Sequence, residues 1–308
     1  MSSTPRRKLQ RGNVAAAVVT YNALPWIEPC LESVRGLPTV VVDNGSTDGT
    51  VDIVRELFPD VELVEQENRG LAAGWNTGIA RTDGRYVLLL NADAWLVGDA
   101  LERLVAFADA RPDSAVVGPR LSNADGSLQR SVRGFPTVWR LATEYFFLRK
   151  LAPRSQLLNG FYAGGFAHDE VREADFLMGA CLLVRREAID TVGPLDEEFF
   201  LFSEETDWCK RFVDAGWKVL FFPGAECVHV GGASHGGLLF KENVRGHLRY
   251  LAKHRGRRSA ERARLLLRVA LRLRGLVFRD VRGRMYREAA DWLGSGRVTE
   301  LLDTGRRR

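Results

Sequence analysis

Tyr86-Val-Leu-Leu-Leu-Asn-Ala-Asp93 sets an unbroken apolar run directly against polar residues. So short a run, with no polar alternation, is the pattern of a strand covered on both faces, as in a parallel sheet. Val14-Ala-Ala-Ala-Val-Val-Thr20 and Thr39-Val-Val-Val-Asp43 have the same character, and residues 61–65 form a third, shorter strand. Helical signals lie between these runs. Pro25 and the apolar residues after it predict a helix entering near its first turn. Asn44-Gly-Ser-Thr-Asp-Gly49 is dense in turn formers and offers Ser46, Thr47 or Asp48 as N-cap of a helix reaching about Phe58. Asn68-Arg-Gly70 opens another helix, through Trp75 and Asn76. This alternation implies an open parallel sheet with right-handed crossovers. Polar residues just past the strand ends then gather along one edge, where ligands bind. Thr20, Asn22, Asp43, Asn91 and Asp93 hold that position. The expected class is a nucleotide-binding α/β domain.

The wider composition agrees. Of 308 residues, 45% are hydrophobic, enough to bury a substantial core. The four cysteines are scattered without metal-ligand spacing and read as buried reduced thiols. The first residues are polar and basic with no apolar stretch of signal-peptide length behind them, and no run approaches the roughly 20 residues of a membrane helix. The expectation is a cytoplasmic protein. Charge divides unevenly: residues 241–308 hold 20 Lys/Arg against 7 Asp/Glu, and the rest 24 against 32. An acidic body with a strongly basic tail points to an anionic partner for the tail. The expected organisation is a basic N-terminal tail (1–12), a catalytic domain (13–240, halves meeting near 120) and a basic helical extension (241–308).

Neither G-x-G-x-x-G after the first strand nor G-x-x-x-x-G-K-[ST] anywhere is present, which argues against a dehydrogenase or a P-loop enzyme. Bound phosphates would instead need a metal. Mg2+ and Mn2+ take oxygen ligands, commonly one or two protein groups plus substrate phosphates. Asp93, past a buried strand, is the best-placed anchor, although an aspartate there can also cap the next helix.

These residues resemble the family 2 glycosyltransferases, especially the bacterial rhamnosyltransferase-like branch. Four segments carry the match first: Val19-Thr-Tyr-Asn22, Val41-Val-Asp-Asn-Gly-Ser-Thr-Asp-Gly49, Asn68-Arg-Gly-Leu-Ala-Ala-Gly-Trp-Asn76 and Leu89-Leu-Asn-Ala-Asp93. Two more follow, Phe199-Phe-Leu-Phe-Ser-Glu-Glu-Thr-Asp-Trp-Cys-Lys-Arg211 and His229-Val-Gly-Gly-Ala-Ser234. The resemblance implies a GT-A fold, in which a Rossmann-like nucleotide-binding half joins an acceptor-binding half that supplies the base. It implies that Thr20, Asn22 and Asp43 hold the donor base and ribose, and that Asn68, Arg69, Asn76 and Asn91 lie along the ribose and diphosphate. Gly70 and Gly74 would allow close approach. Asp93 would bind Mg2+ or Mn2+ within an N-x-D variant of the D-x-D motif, with His229 as a second metal ligand. The implied donor is dTDP-rhamnose, with a UDP-hexose second; the implied acceptor is a cell-envelope glycan or a lipid-linked glycan.

Inverting transfer needs one base, because a divalent cation takes up the charge of the departing diphosphate. Ser203-Glu-Glu-Thr-Asp207 offers three carboxylates at a helix start, where the helix dipole favours ionised acids and where acids also serve as caps. The resemblance assigns the base to Glu205, with Asp207 orienting the site or touching the acceptor, and Glu204 and Trp208 beside the pocket. Phe176-Leu-Met-Gly-Ala-Cys-Leu-Leu-Val184 reads as one strand with a small-residue notch at Gly179 and Ala180 that would admit sugar or acceptor. His168, His235 and His247 read as structural.

Two other classes compete. A sugar nucleotidyltransferase opens with a Gly-rich basic loop, which Tyr21-Asn-Ala-Leu-Pro25 is not. A non-catalytic glycan- or membrane-binding protein on this fold would be expected to lack Asp93 or the acidic cluster. Nucleic acid is not expected as partner, since the tail lacks a stacking-aromatic array or zinc ligands. At 100° per residue, Leu265, Leu266, Val269, Leu273, Leu276 and Val277 share one helical face, with Arg264, Arg268, Arg272, Arg279 and Arg282 opposite and Leu267 and Leu271 as minor breaks. That helix would either pack on the domain with its arginines in water or lie on an anionic membrane surface.

Overall fold

The computed structural model describes residues 13–231, 240–296, 298 and 302. His235, the end of the motif beginning at His229, and the N-terminal tail lie outside the described residues. The first half alternates as expected: β1 (Val14–Thr20), α1 (Ile27–Ser33), β2 (Thr39–Asp43), α2 (Thr50–Leu57), β3 (Glu62–Glu65), α3 (Leu71–Ala80) and β4 (Tyr86–Asn91). Every residue of β1 and β2 is buried, while β3, at the sheet edge, is partly exposed. The four strands run parallel in the order β3-β2-β1-β4. Register aligns Thr20 with Asp43 and Val19 with Asn91, so the polar strand ends line one edge.

Two local expectations change. α1 begins at Ile27, two residues beyond Pro25. The N-cap of α2 is Gly49 in the left-handed region (φ 93°), not Ser46, Thr47 or Asp48. Asp48 instead accepts the backbone N–H and the hydroxyl of Thr50 through one carboxylate oxygen. Its other oxygen accepts Leu24 N–H, so the aspartate ties two loops together and still serves the helix start.

The second half converts the sheet from parallel to mixed. After β5 (Ala94–Leu96), α4 (Ala100–Asp109) and β6 (Ser114–Ser122) come short strands β7 (Leu128–Gln129) and β8 (Val132–Arg133), α5 (Val138–Tyr145), the short α6 (Gln156–Asn159) and β9 (Arg172–Glu173). The expected strand over 176–184 is two strands. β10 (Phe176–Leu177) pairs with β8 in a separate small sheet, and β11 (Cys181–Arg185) inserts antiparallel between β4 and β6. The chain changes sheets at Met178, Gly179 and Ala180, where Ala180 C=O accepts Asn91 N–H. The small residues therefore sit against the carboxyl end of β4.

α7 (Arg186–Val192), α8 (Glu204–Asp214) and β12 (Lys218–His229) complete the α/β body. β12 runs parallel to β6 and then pairs antiparallel with β5, setting His229 opposite Ala94. Among the described residues three helices with assigned bounds follow: α9 (Phe240–Arg255), α10 (Arg257–Val277) and α11 (Val281–Leu293). Leu248, Leu251, Leu267, Leu271, Ala290 and Leu293 share one apolar cluster with Val19, Trp75 and Phe212 of the body.

The face of α10 that packs is not the one that periodicity favoured. Ala260, Ala263, Leu267, Ala270, Leu271 and Arg274 are buried, so the two leucines read as breaks are core residues. Leu265, Val269, Leu273, Leu276 and Val277 point outward. Small residues pack helices closely although they weigh little in a hydrophobic pattern, which hid the true contact stripe. α10 also ends at Val277, so Arg279 and Arg282 belong to the connection and to α11. Arg274 is buried for a reason of charge: its guanidinium donates to Glu144 C=O and Tyr145 C=O at 2.8 Å, completing the C-terminus of α5.

Candidate active site

The strand ends open onto a cavity of about 450 Å3. From the nucleotide half it is lined by Val19, Thr20, Tyr21, Asn44, Asn68, Gly70, Asn91 and Asp93, and from the acceptor half by Met178, Gly179, Ala180, Phe200, Glu204, Glu205 and His229. Nine residues expected at the site therefore share one concave surface: Thr20, Asn68, Asn91, Asp93, Gly179, Ala180, Glu204, Glu205 and His229.

The remaining expected residues sit around it. Asp43 is buried; one carboxylate oxygen accepts Gly45 N–H (2.9 Å) and Ser46 N–H (2.8 Å), and the other has no partner. Thr20 Oγ1 is likewise buried and unpartnered among the described residues. Buried polar atoms are rarely left unpaired, so these two adjacent strand ends offer hydrogen bonds to a ligand. Asn22, in the left-handed region at φ 51°, instead accepts Thr47 N–H and holds the loop after β2. Asn76 donates to Leu195 C=O and accepts Leu195 N–H, pinning the loop before α8. Arg69 makes a surface ion pair with Glu197. Gly70 and Gly74 do permit close approach, but of protein to protein. A Cβ on Gly70 (φ 97°) would lie 2.2 Å from Phe200 O, and one on Gly74 2.7 Å from Val19 Cγ1. Leu71 N–H donates to the same Phe200 carbonyl, joining the two halves at the cavity rim.

Asp93 and His229 meet because β12 pairs with β5. Asp93 Oδ1 lies 3.4 Å from His229 Nε2, and Asp93 Oδ2 accepts Gly231 N–H at 3.2 Å. Burial pushes the Asp93 carboxyl up, but the imidazole and backbone contacts win and its pKa is lowered. His229 Nδ1 is 2.7 Å from Gln129 Oε1, whose amide nitrogen donates to Asn123 Oδ1 and His229 C=O. Gln129 therefore accepts from Nδ1–H, which directs Nε2 toward the Asp93 carboxylate. Two acceptors facing one another require a cation between them, a proton or a metal. The donor set fits a divalent ion that draws its remaining ligands from substrate phosphates and water. No group of three or more His, Cys, Asp or Glu suited to a metal occurs among the described residues.

The carboxylates at the start of α8 divide into two kinds. Phe202 (φ 67°) and Ser203 (φ 72°) are both left-handed, a strained pair that turns the chain sharply into the helix. Glu204 and Glu205 follow at the cavity, each with a buried oxygen lacking a partner. Burial pushes Glu205 up to about 7 against the opposing pull of backbone N–H groups and Arg133. Burial and the charge of Glu205 raise Glu204 well above the usual carboxylate range. Asp207 behaves oppositely. It is fully buried, and its oxygens are taken by Arg211 Nε (3.0 Å), His254 Nε2 (2.7 Å) and Lys253 Nζ (2.8 Å). Burial alone would raise its pKa, but these partners, His254 foremost, lower it. Asp207 is thus an anchor between α8 and α9, away from the cavity lining. Trp208 is core, its indole N–H donating to Gly193 C=O. Gly179 is confined: a Cβ there would lie 2.8 Å from the Trp75 ring and 3.6 Å from Glu205 Cβ.

Gln129 and the Lys253–His254 pair carried no signal in the sequence, since they act 100 and 46–47 residues from their partners. His168 and His247 are buried, and burial pushes each down to about 4, as structural histidines require. All four cysteines are buried and free.

Comparison with known proteins agrees with this geometry. The chain is 29% identical over 231 residues to the N-acetylglucosaminyl-diphospho-decaprenol L-rhamnosyltransferase of Mycobacterium tuberculosis, covering 68% of this chain and 74% of that protein. It is 25% identical over 219 residues to glycosyltransferase AglE of Haloferax volcanii, covering 68% and 64%. Among solved structures, the mannosyltransferase PcManGT of Pyrobaculum calidifontis, in complex with GDP-Man and Mn2+, superposes with a TM-score of 0.54 at 20% identity, over 96% of this chain and 85% of that one. TarS of S. aureus (residues 1–349) gives 0.54 at 16% identity, over 96% and 87%. The shared fold is GT-A, a nucleotide-binding half and an acceptor half, here followed by helices. The sequence description Glycosyl transferase family 2 fits residues 16–193, more than half of the chain; with the strand-edge cavity and the acids that line it, this chain belongs to glycosyl transferase family 2.

Proposed function

We propose that this glycosyltransferase is an inverting, divalent-metal-assisted enzyme that moves one sugar from a nucleoside diphosphate donor to a glycan or lipid-linked acceptor of the cell envelope. The observation that carries the reading is the cavity itself. The same cavity is lined by the Asp93–His229 pair and by Glu205, whose carboxyl burial pushes up to about 7. A carboxylate poised there can take a proton at neutral pH, and its unpartnered buried oxygen is free to do so.

In the step proposed, the acceptor oxygen bonds to the anomeric carbon as the bond from that carbon to the diphosphate oxygen breaks with its electron pair. Glu205 takes the hydroxyl proton. Mg2+ or Mn2+, held by Asp93 and His229, would offset the charge of the departing diphosphate. Thr20 and Asp43 offer the donor base and ribose their unpaired oxygens, and Asn68 and Asn91 flank the diphosphate path; the notch at Gly179 is taken up by the Trp75 ring and not left for the sugar. Gln129 holds the His229 ring, and Asp207 fixes the helix that presents Glu205.

dTDP-rhamnose is the favoured donor and a UDP-hexose the second, on the likeness to a rhamnosyltransferase. The name of that relative also describes a lipid diphosphate acceptor. An acceptor of that class would place the enzyme on the inner face of the cell membrane. A panel of nucleotide sugars, each assayed with Mg2+ or Mn2+ for release of the nucleoside diphosphate and for thermal stabilisation, tests the reading. One donor should be turned over in a metal-dependent manner. If no donor is turned over or stabilises the protein, the reading falls.

A further inference from the structure

α10 uses one apolar face to join the core and carries a second that is exposed among the described residues. Leu265, Val269, Leu273, Leu276 and Val277 are 53%, 54%, 50%, 74% and 75% exposed. At 100° per residue they fall within a third of the helix circumference, opposite the stripe of Ala263, Leu267 and Arg274 that faces the body. Single exposed leucines are ordinary, but a continuous stripe of five is an interaction surface.

Charge identifies the partner. α10 contains seven arginines and one acid, Glu261, which is already paired with Arg264. Arg258 and Arg262 lie on the same outward face as the stripe, and Arg272, ion-paired with Asp291, borders it with its side chain 55% exposed. At the C-terminal end, Phe278 packs against Phe147, and the turn that follows Phe147 adds Lys150 and Leu151, the latter 78% exposed. A protein partner would have to supply both an apolar groove and surrounding acids. Two pockets on the described surface bring some of each together, one lined by Phe240, Met285, Trp292, Glu288 and Asp291 and one by Trp95, Leu96, Glu28 and Glu32, which makes a second copy of this chain the competing occupant that the test must separate. An anionic lipid surface supplies both features at once, with headgroup phosphates for the arginines and acyl chains for the leucines. No described helix is long and apolar enough to cross a membrane, so the stripe would lie in the interface.

We infer that the outward face of α10 docks the protein on an anionic lipid surface, lying parallel to it. The inference deepens the reading of a lipid-linked acceptor, yet its test reads binding without turnover, so either can fail alone. Full-length protein is sedimented with vesicles of phosphatidylcholine, with or without phosphatidylglycerol, at low and high salt. Binding should require phosphatidylglycerol and weaken with salt. The variant Leu265→Gln/Leu273→Gln/Leu276→Gln keeps every charge and alters only exposed positions. It should bind on the order of tenfold or more weakly while keeping the wild-type melting temperature and donor hydrolysis. Arg258→Gln/Arg262→Gln should weaken binding and flatten its salt dependence. Absence of wild-type binding at low salt overturns the inference, as does a triple variant that binds like wild type. If the wild type is a dimer that the triple variant dissociates, with no vesicle binding by either, a second copy covers the face and the inference is wrong.

Discussion

Glu205→Gln should make this protein more stable and almost inactive. Burial holds the Glu205 carboxyl near pH 7 rather than its ordinary 4.5. A group whose folded pKa is raised adds stability that is complete below the unfolded value and is lost as pH rises through the folded one. Between about pH 4.5 and 7 the wild type should therefore lose about 3 kcal/mol from this residue, since each pKa unit is worth about 1.4 kcal/mol. Glutamine keeps the shape, has no charge to bury, and escapes that loss. Its amide must still find partners beside Glu204, so the net gain at pH 8 should be about 1–3 kcal/mol. At pH 4 the two proteins should be nearly equal. Urea denaturation at both pH values reads the difference, and transfer under the same buffer should fall about 10²–10⁴-fold. If the variant is no more stable at pH 8, or its advantage does not depend on pH, Glu205 is not a buried carboxylate forced to ionise and the argument for it as base collapses.

Asp93→Ala should abolish metal-dependent donor turnover while leaving the fold intact; unchanged metal stimulation would remove Asp93 from the metal site. Asp207→Asn should act on stability, costing about 3 kcal/mol or more by leaving Arg211, Lys253 and His254 around a neutral group. Because the Asp207 pKa is depressed, its contribution is present above about pH 4 and disappears as pH falls through the folded value, so the variant should lose that acid sensitivity. An Asp207→Asn protein with wild-type stability but no transfer would make Asp207 a catalytic residue instead. Gly70→Ala places a Cβ 2.2 Å from Phe200 O in a left-handed backbone, and should cost roughly 1–3 kcal/mol and slow transfer by parting the two halves; wild-type stability would refute that coupling. The rate with acceptor should rise with pH through about 7 as Glu205 loses its proton, and a profile flat from pH 5 to 9 would contradict this.

The nucleotide half was legible because its logic is local. Buried parallel strands announce themselves as apolar runs, and their ends placed Thr20, Asn91 and Asp93 on the cavity before any contact was known. The acceptor half is built from distant pairings that leave little local trace. The run at 176–184 looks uniform in sequence, yet it divides between two sheets because β11 must enter antiparallel beside β4. Carboxylates one and two positions apart in α8 read alike, and only the third dimension separates Glu205 at the cavity from Asp207 in its cage of cations. Asn22 and Asn76 were drawn toward the donor by pattern, whereas their amides hold loops. In α10 the pattern found a real apolar stripe but not its direction, since alanines and an arginine make the contact with the body.

The most direct test of the account measures nucleoside diphosphate release from dTDP-rhamnose and UDP-hexoses, with Mg2+ or Mn2+ and with chelator, by the wild type, Asp93→Ala and Glu205→Gln. The wild type should release the diphosphate from one donor only when the metal is present. Asp93→Ala should not, and Glu205→Gln should bind that donor with near-normal affinity but fail to transfer its sugar. Turnover by the wild type that ignores chelator, or transfer by Glu205→Gln at the wild-type rate, would contradict the roles assigned to Asp93 and Glu205.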